Sequence, residues 1–328
     1  MSEHKSDEDF AAIIAPPILA SQDSNVPALA DLSSQDQVWD KHRTNADKVS
    51  NHYRGNKDFG EYSQRIDFCS QLLDFRLVPE PEEGVLKLKL SASRFCRVRT
   101  CPVCQWRRSL MWKAKAYQAL PKVTKDFPKH RWLFLTLTVK NCPVEELRAT
   151  LDHLNKSFVR LTKLKDWPAD GWIKSVEVTR GRDGNAHPHL HALLMVPASY
   201  FGADYVSQVK WVSMWRSSAR LDYNPQTHIK AIAKHHSPTQ IIPEILKYQV
   251  KESDLVANRG WFLELTKQLH KTRAVAVGGV LRGYMKELEC EPEDLVGNTN
   301  EGEVDEGHLY FEWKQHRKSY RLKNSDGI

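Results

Sequence analysis

Three histidines occupy alternate positions near the middle of the chain. His187, His189 and His191 are separated by Pro188 and Leu190. Residues two apart on a β-strand point to the same face of the sheet, so the imidazoles of His189 and His191 are expected to lie side by side. Imidazoles that share a face suit a divalent metal ion. The pattern predicts a metal site in which His187 either flanks the ion or provides a further ligand.

The segment before these histidines supplies a carboxylate. Residues 172–179 have the composition of a strand and residues 180–186 are rich in Gly, Asp and Asn, which predicts a hairpin with a second strand at residues 188–196. If the hairpin is symmetric about residues 183 and 184, Glu177 lies opposite residue 190, within one residue of either histidine. Two histidines and a carboxylate with open coordination positions suit Mg²⁺, Mn²⁺ or another transition metal.

A second group of reactive side chains follows Pro243. Glu244, Tyr248 and Lys251 have the spacing i, i+4 and i+7, and Pro243 suits the first turn of a helix. One helix is therefore expected to present all three side chains on one face. Its buried stripe would consist of Ile245, Leu246, Val250 and Leu255. A phenol is a nucleophile, a nearby lysine favours the phenolate, and a carboxylate can activate water.

Three cysteines, Cys96, Cys101 and Cys104, form a C-x4-C-x2-C run. A Cys-x2-Cys turn with a third cysteine nearby is typical of a structural zinc site, which needs one more ligand to complete a tetrahedron. Cys69 is the first candidate for the fourth ligand, and His130 and His52 are the alternatives.

Positive charge is concentrated around this cysteine run. Residues 94–131 contain eleven Lys and Arg against one acidic residue, although the whole chain carries a formal net charge of +7. Basic side chains neutralise phosphates and interleaved aromatic rings stack on unpaired bases, so a basic, DNA-binding helix is expected after Cys104. The residues expected to bind DNA are Arg99, Arg107, Arg108, Lys113 and Lys115, together with Arg180 and Arg182 of the hairpin turn.

Hydrophobic periodicity predicts the elements that position these groups. Residues 132–139 (WLFLTLTV) indicate a largely buried strand whose threonines face one side. Leucines and Phe158 recur at spacings of three and four in residues 144–164, as expected for an amphipathic helix that covers a sheet.

Composition divides the 328 residues into four segments. Residues 1–60 are expected to be an acidic, mostly disordered arm, and residues 61–128 a Cys-rich, zinc-binding, basic subdomain. Residues 129–285 form the domain with the histidine strand, and residues 286–328 an acidic linker with a basic C-terminal tail. No apolar run is long enough to span a membrane and no export signal is recognised, so no membrane partner and a cytoplasmic location are expected.

Five motifs, in their order along the chain, resemble those of rolling-circle replication initiators of small plasmids. They are Cys-x4-Cys-Pro-x-Cys-Gln, Phe-Leu-Thr-Leu-Thr, His-Pro-His-Leu-His, Glu-x3-Tyr-x2-Lys, and the stretch from Trp261 to Arg273 followed by Gly278 and Gly279. The resemblance covers about residues 65–285 and is to the branch that uses one catalytic tyrosine assisted by a glutamate.

The resemblance implies an HUH endonuclease of the α+β class. A five-stranded antiparallel sheet with helices packed on it would follow the small Cys-rich subdomain. His189 and His191 would bind one Mg²⁺ or Mn²⁺, with Glu177 or His187 as third ligand. Tyr248 takes the place of the nucleophile and Glu244 that of the carboxylate that assists termination, while Lys251 would orient the phosphate or stabilise the phenolate. The implied partners are single-stranded or extruded plasmid origin DNA and a host helicase and polymerase.

Other classes of protein share parts of this pattern. An HUH transposase or relaxase uses the same metal and tyrosine, but the cysteine run and Glu244 favour the plasmid initiator. A non-catalytic, zinc-dependent DNA-binding regulator would bind DNA without forming a covalent adduct. A small-molecule metal hydrolase is disfavoured by the basic segment.

Overall fold

A computed structural model describes residues 26–79, 86–233, 242–246, 249–286 and 307–323. The chain forms two compact units, which we call the terminal unit (residues 1–104 and 291–328) and the central unit (residues 105–290). Both contain helices and an antiparallel sheet, so the fold is α+β. No helix in the described ranges is long and apolar enough to cross a membrane.

The described strands, in chain order, are β1 (Leu72–Pro79), β2 (Leu86–Ser93), β3 (Arg131–Thr138), β4 (Gly171–Arg180), β5 (Ala186–Val196), β6 (Thr227–Ala231), β7 (Val275–Gly279), β8 (His308–Lys314) and β9 (Ser319–Leu322). The α-helices are α1 (Leu29–Leu32), α2 (Val38–Tyr53), α3 (Gly60–Asp67), α4 (Pro102–Asp126), α5 (Leu147–Leu161), α6 (Gln208–Ser218), α7 (Ile242–Ile245), α8 (Glu252–Ala257), α9 (Arg259–Leu269) and α10 (Leu281–Lys286).

The central unit is built on a five-stranded antiparallel sheet with the order β6-β3-β5-β4-β7. The three strands predicted from composition therefore form the middle of this sheet, and the histidine strand β5 lies at its centre. Helix α5 presents its predicted leucine stripe to the sheet, with Leu147, Leu151, Leu154 and Leu161 all buried.

The two faces of this sheet bury different clusters. One face meets α5 and α6, since Phe158 packs against Trp172 at 5.0 Å between ring centroids and the indole N–H of Trp215 donates to the Thr138 carbonyl. The other face buries Leu193 and Ile173 among residues of α4, α7 and α10. Since His187, His189 and His191 alternate with the α5-facing residues of β5, they share the second face.

The terminal unit contains a four-stranded antiparallel sheet with the order β2-β1-β8-β9. Its inner face is apolar and packs on α2, where the ring of Trp39 contacts Tyr320 and Asp47 accepts a hydrogen bond from Trp313. Segments that are far apart in the sequence meet here because β8 pairs with β1.

This arrangement differs from the predicted domain boundaries at both ends. Helix α2 lies in the stretch expected to be a mostly disordered arm, and its buried Trp39, Ala46, Val49 and Tyr53 stabilise it in spite of the acidic composition. The expected basic tail instead forms β8 and β9, whose Phe311 and Trp313 belong to the core. Most of the expected acidic linker lies outside the described residues.

Candidate functional site

The register of the β4–β5 hairpin places Glu177 beside the histidines. Glu177 is directly opposite His189, whereas the predicted register placed it opposite residue 190. The difference arises because the turn contains five residues, 181–185. A hydrogen bond from the Gly181 N–H to the Asn185 carbonyl closes this turn. Directly opposed residues share a face of the sheet, so this odd-numbered turn puts the carboxylate on the histidine face.

Hydrogen bonds fix the orientation of His191. Its Nε2 lies 3.3 Å from Glu177 Oε2, and its Nδ1 lies 3.1 Å from Thr136 Oγ1 on the neighbouring strand. The ring also stacks on Phe134, with centroids 5.6 Å apart. Because both ring nitrogens and one ring face have partners, the imidazole has a defined direction, with Nε2 towards the carboxylate.

His189 lies between the other two histidines. Its ring centroid is 4.0 Å from that of His187 and 6.0 Å from that of His191, and its Nε2 is 3.5 Å from Thr179 Oγ1. Burial, followed by repulsion from the neighbouring charges, lowers the pKa of His189 to about 4. Burial also lowers the pKa of His187. His189 is therefore neutral near pH 7, the form that binds a metal ion.

The segment expected to be one continuous helix is broken. Helix α7 ends at Ile245, Val250 forms an isolated parallel bridge with Val178 of β4, and α8 begins at Glu252. Strand β7 pairs with only the first half of β4, which leaves the edge of the second half open. At this edge the Val178 N–H donates a hydrogen bond to the Gln249 carbonyl, at 2.8 Å. The prediction of one continuous helix over residues 243–251 is therefore wrong, since pairing with the strand edge replaces the helical hydrogen bonds. The common face expected for Glu244, Tyr248 and Lys251 involves side chains that lie outside the described residues.

The chain that leads to Tyr248 is nevertheless held at the histidine face. Ile245 and Leu246 are buried with Leu193, and the Ser175 hydroxyl donates to the Ile245 carbonyl. Tyr248 itself and the side chain of Glu244 lie outside the described residues. Lys251 is exposed, and its positive charge is one of the influences that lower the pKa of His189.

The four cysteines Cys69, Cys96, Cys101 and Cys104 form a buried group in the terminal unit, with Sγ atoms all within 4.8 Å of one another. Across the described ranges this is the one group of three or more His, Cys, Asp or Glu that meets this criterion. Cys69, rather than His130 or His52, joins the cysteine run.

The distances between the sulfur atoms match those expected around a tetrahedrally coordinated metal ion and are too long for disulfide bonds. Cys96 and Cys69 lie 3.5 and 3.6 Å from Cys104, and Cys101 lies 3.8 Å from Cys69. A tetrahedron with metal–sulfur bonds of about 2.3 Å has sulfur–sulfur edges of about 3.8 Å, whereas a disulfide needs about 2.05 Å. Hydrogen bonds from the other thiols lower the pKa of Cys104, while burial raises that of Cys101. The group can therefore hold a metal ion.

The predicted basic helix is present as α4, and its charged side chains lie partly along aromatic rings. The Arg107 guanidinium is 5.8 Å from the Trp106 ring and the Lys115 ammonium is 5.9 Å from the Trp112 ring. Burial lowers the pKa of Arg107 and of Lys113. Trp106 belongs to the core. The other residues expected to bind DNA are half-buried or exposed: Arg99, Arg108, Arg180 and Arg182.

Comparison with known proteins identifies the family. A family model described as "Replication protein" matches residues 87–321. The chain belongs to this family of replication proteins. The chain is 35% identical over 274 residues to "Protein rep" of Streptococcus pneumoniae serotype 2 (strain D39 / NCTC 7466), covering 80% of this chain and 84% of that protein. It is 34% identical over 274 residues to "Protein rep" of Lactiplantibacillus plantarum, covering 76% and 84%. No solved structure gave a significant match.

Sequence reasoning missed residues that hold the histidines in this replication protein. Thr136 and Thr179 both contact imidazoles, and Phe134 stacks on one of them. The alternating threonines of residues 132–139 were a signal that one face of β3 is polar, but their partners depend on the order of the strands. That order cannot be derived from the period of a single strand.

Proposed function

We propose that this replication protein initiates plasmid rolling-circle replication by nicking single-stranded origin DNA, with Tyr248 as the nucleophile. The observation that carries the proposal is the cluster of His189, His191 and Glu177 on the central strands, beside the chain segment that leads to Tyr248. Imidazoles and a carboxylate on one partly buried face are a donor set for Mg²⁺ or Mn²⁺.

Two imidazoles and a carboxylate are donor types that suit such an ion. His189 and His191 would hold the ion with Glu177, and His187 is the alternative third ligand. When bound, the ion would supply Lewis-acid polarisation of a nonbridging phosphate oxygen. Thr136 keeps Nε2 of His191 directed towards Glu177, so the ligands are oriented by contacts within the sheet.

The proposed reaction exchanges one phosphodiester for another. The phenolic oxygen of Tyr248 attacks phosphorus, the phenolic proton leaves, and the bond from phosphorus to the 3′ oxygen breaks. The products are a 5′-phosphotyrosyl bond and a 3′ hydroxyl, which takes up a proton and can prime synthesis. The phosphodiester energy is kept in the protein link, so rejoining needs no nucleotide cofactor.

Two charged residues have assigned roles in this scheme. Glu244 would activate water to cut the regenerated origin at termination, which removes the need for a second tyrosine. Lys251, whose charge acts on His189, would orient the scissile phosphate or stabilise the phenolate.

The remaining parts of the proposal concern DNA and zinc. Arg99, Arg107, Arg108, Lys113, Lys115, Arg180 and Arg182 would contact phosphates on either side of the nick. The four cysteines would hold Zn²⁺ as a structural ion, because a closed set of four thiolates leaves no position for substrate. A host helicase and polymerase would act on the nicked product.

The proposal is tested by incubating the full chain with Mn²⁺ or Mg²⁺ and end-labelled single-stranded DNA from its own replicon. We expect a metal-dependent covalent adduct that peptide mass mapping assigns to Tyr248. Tyr248→Phe should abolish the adduct and retain DNA binding, whereas Tyr205→Phe, at a tyrosine that is 65% exposed, should react normally. His189→Ala should lose metal-dependent cleavage.

The results of these experiments distinguish the proposed nickase from the alternatives. Normal cleavage by Tyr248→Phe or His189→Ala would refute the site assignment. Tight origin binding by the unmodified chain without any adduct would instead identify a zinc-dependent DNA-binding regulator. Glu244→Ala should cut once and fail to release, and unchanged release would remove the role given to Glu244.

A further inference from the structure

The outer face of the four-stranded sheet is polar and basic. Its inner residues, such as Leu73, Phe75 and Phe311, are buried, and the alternate residues point to the other side. Arg76 of β1 is paired with Lys89 of β2 on one side and with His308 of β8 on the other, so the three residues form one row across the sheet. Arg76, Lys87 and Lys89 are exposed. We call this side of the terminal unit the outer face.

Positive charge exceeds negative charge on the outer face. Its described strands carry Arg76, Lys87, Lys89, Lys314 and Arg321 against two carboxylates. Both carboxylates have a close partner on the same face: Asp74 lies 2.5 Å from the His308 imidazole, and Glu312 lies 2.5 Å from the Lys314 ammonium. Arg76 and Lys89, which are opposed to each other across β1 and β2, provide local positive charge that attracts anions.

One aromatic ring stands among these charges. Tyr310 is 37% exposed in the middle of β8, paired with Asp74 and adjacent to the row that contains Arg76 and Lys89. An exposed aromatic ring on a sheet, bordered by Arg and Lys, provides a surface on which a base can stack while the cations contact phosphates.

We propose that the outer face binds single-stranded DNA, with Tyr310 stacking on a base and Arg76 and Lys89 contacting the backbone. Four strands about 4.8 Å apart span roughly 14 Å before side chains are counted. The major groove of duplex DNA is about 12 Å wide and admits a helix or a two-stranded ribbon, so a four-stranded face does not enter it. The exposed ring and the broad face therefore favour unpaired DNA.

This inference rests on the proposed function for its biological partner, because strand displacement by a nickase produces single-stranded DNA. The outer face belongs to the terminal unit, whereas the histidines belong to the central unit. It would add affinity for the displaced strand without taking part in the chemistry.

The test measures binding of the full chain to a fluorescent oligothymidylate of 20 nucleotides, and to a duplex of the same length, across a series of salt concentrations. The double variant Arg76→Ala/Lys89→Ala should lower the salt dependence by about 1.4 logarithmic units per decade, since each backbone contact to a single strand contributes about 0.7. The charge-matched control Lys41→Ala/Lys57→Ala changes two exposed lysines of the same unit that are off the sheet. It should leave the slope unchanged.

Tyr310→Ala should weaken binding of the single strand by about fivefold or more and Tyr310→Phe should restore it, because stacking needs the ring and not the hydroxyl. Duplex binding should change little in Tyr310→Ala.

With bromodeoxyuridine in the oligonucleotide, photocrosslinks should map to the β8 peptide. Far-UV circular dichroism establishes that the variants are folded.

The inference is overturned if the charge variants and Tyr310→Ala bind the single strand like the unmodified chain, or if Tyr310→Ala weakens duplex binding equally. Failure of the proposed function gives a result that differs from failure of this inference. In that case no adduct forms at Tyr248, while the outer-face variants still change the binding of single-stranded DNA. Adduct formation with unchanged binding in the outer-face variants would remove this inference alone.

Discussion

Lys174 lies on the sheet face opposite the histidines, in an environment that disfavours its charge. It is 6% exposed, its ammonium donates to Asn155 Oδ1 at 2.5 Å, and it lies 4.9 Å from the Phe158 ring centroid. Burial, with a smaller contribution from Arg273, lowers the pKa of Lys174 to about 8. A buried ammonium with one amide partner costs stability relative to an apolar residue of similar length.

Lys174→Met should therefore stabilise the protein at pH 7. The pKa of lysine in the unfolded chain is near 10.5, so the lowered folded value corresponds to a penalty of about 3 kcal/mol, partly offset by the lost contacts. We expect the free energy of unfolding to rise by about 1–2 kcal/mol. Between pH 8 and pH 10.5 the unfolded chain binds more protons, so the unmodified protein gains stability with rising pH and the advantage of the variant shrinks.

Denaturant unfolding at a series of pH values checks this prediction. Lys165→Met, at an exposed lysine just beyond α5, is the control and should leave the pH dependence unchanged. A pH-independent difference between Lys174→Met and the unmodified protein would show that Lys174 titrates normally.

The histidine hairpin shows what local sequence determines. The strands, the turn and α5 were predicted because each follows from a short-range period. The register was missed by one residue, since it depends on the five-residue turn and the Asn185 carbonyl bond rather than on composition. The single helix over residues 243–251 was wrong for a related reason: its interruption depends on the unpaired edge of β4.

The β4–β7 pairing needs a residue without a side chain at position 278. A Cβ there would lie 2.2 Å from two ring atoms of Trp172, and the Trp172 ring packs against Phe158. Gly278→Ala should lower the free energy of unfolding by about 1–3 kcal/mol, because the ring must move within a packed layer. Gly283→Ala, in α10 with open space around it, should be neutral or stabilise by up to about 1 kcal/mol. Equal effects in denaturant titrations would refute the close approach.

The cysteine group joins the end of α3, the end of β2 and the start of α4, three elements that are separated in sequence. We expect elemental analysis to find one zinc per chain, and Cys101→Ser should lose it together with stability, because binding energy of a structural ion is folding energy. Cys142→Ser, at a buried cysteine outside the group, should retain the zinc. Full occupancy in Cys101→Ser would refute the assigned ligand set.

The terminal unit depends on pairing between β1 and β8, which are far apart in the sequence. Phe311 and Leu73 are opposed across β8 and β1 although 238 positions separate them (311 − 73). Local periodicity carries no information about such a partner, which is why the sequence assigned the residues of β1 and β2 to a Cys-rich subdomain and those of β8 and β9 to a tail, and not to one sheet. The central unit was better predicted because its decisive strands follow one another closely in the chain.

Deletion of residues 307–328 should therefore unfold the terminal unit and spare the central sheet. The deletion removes the partner strand of β1 and the buried rings of Phe311, Trp313 and Tyr320. Each ring contributes about 1.5–3 kcal/mol by burial, and together they approach the whole stability of a typical domain. Hydrogen exchange should show that amides of β1 and β2 lose protection while those of β3 and β5 keep it. Deletion of residues 324–328 alone should leave both sheets protected. Retained protection in β1 after the longer deletion would mean that β1 and β2 are stable without the C-terminal strands.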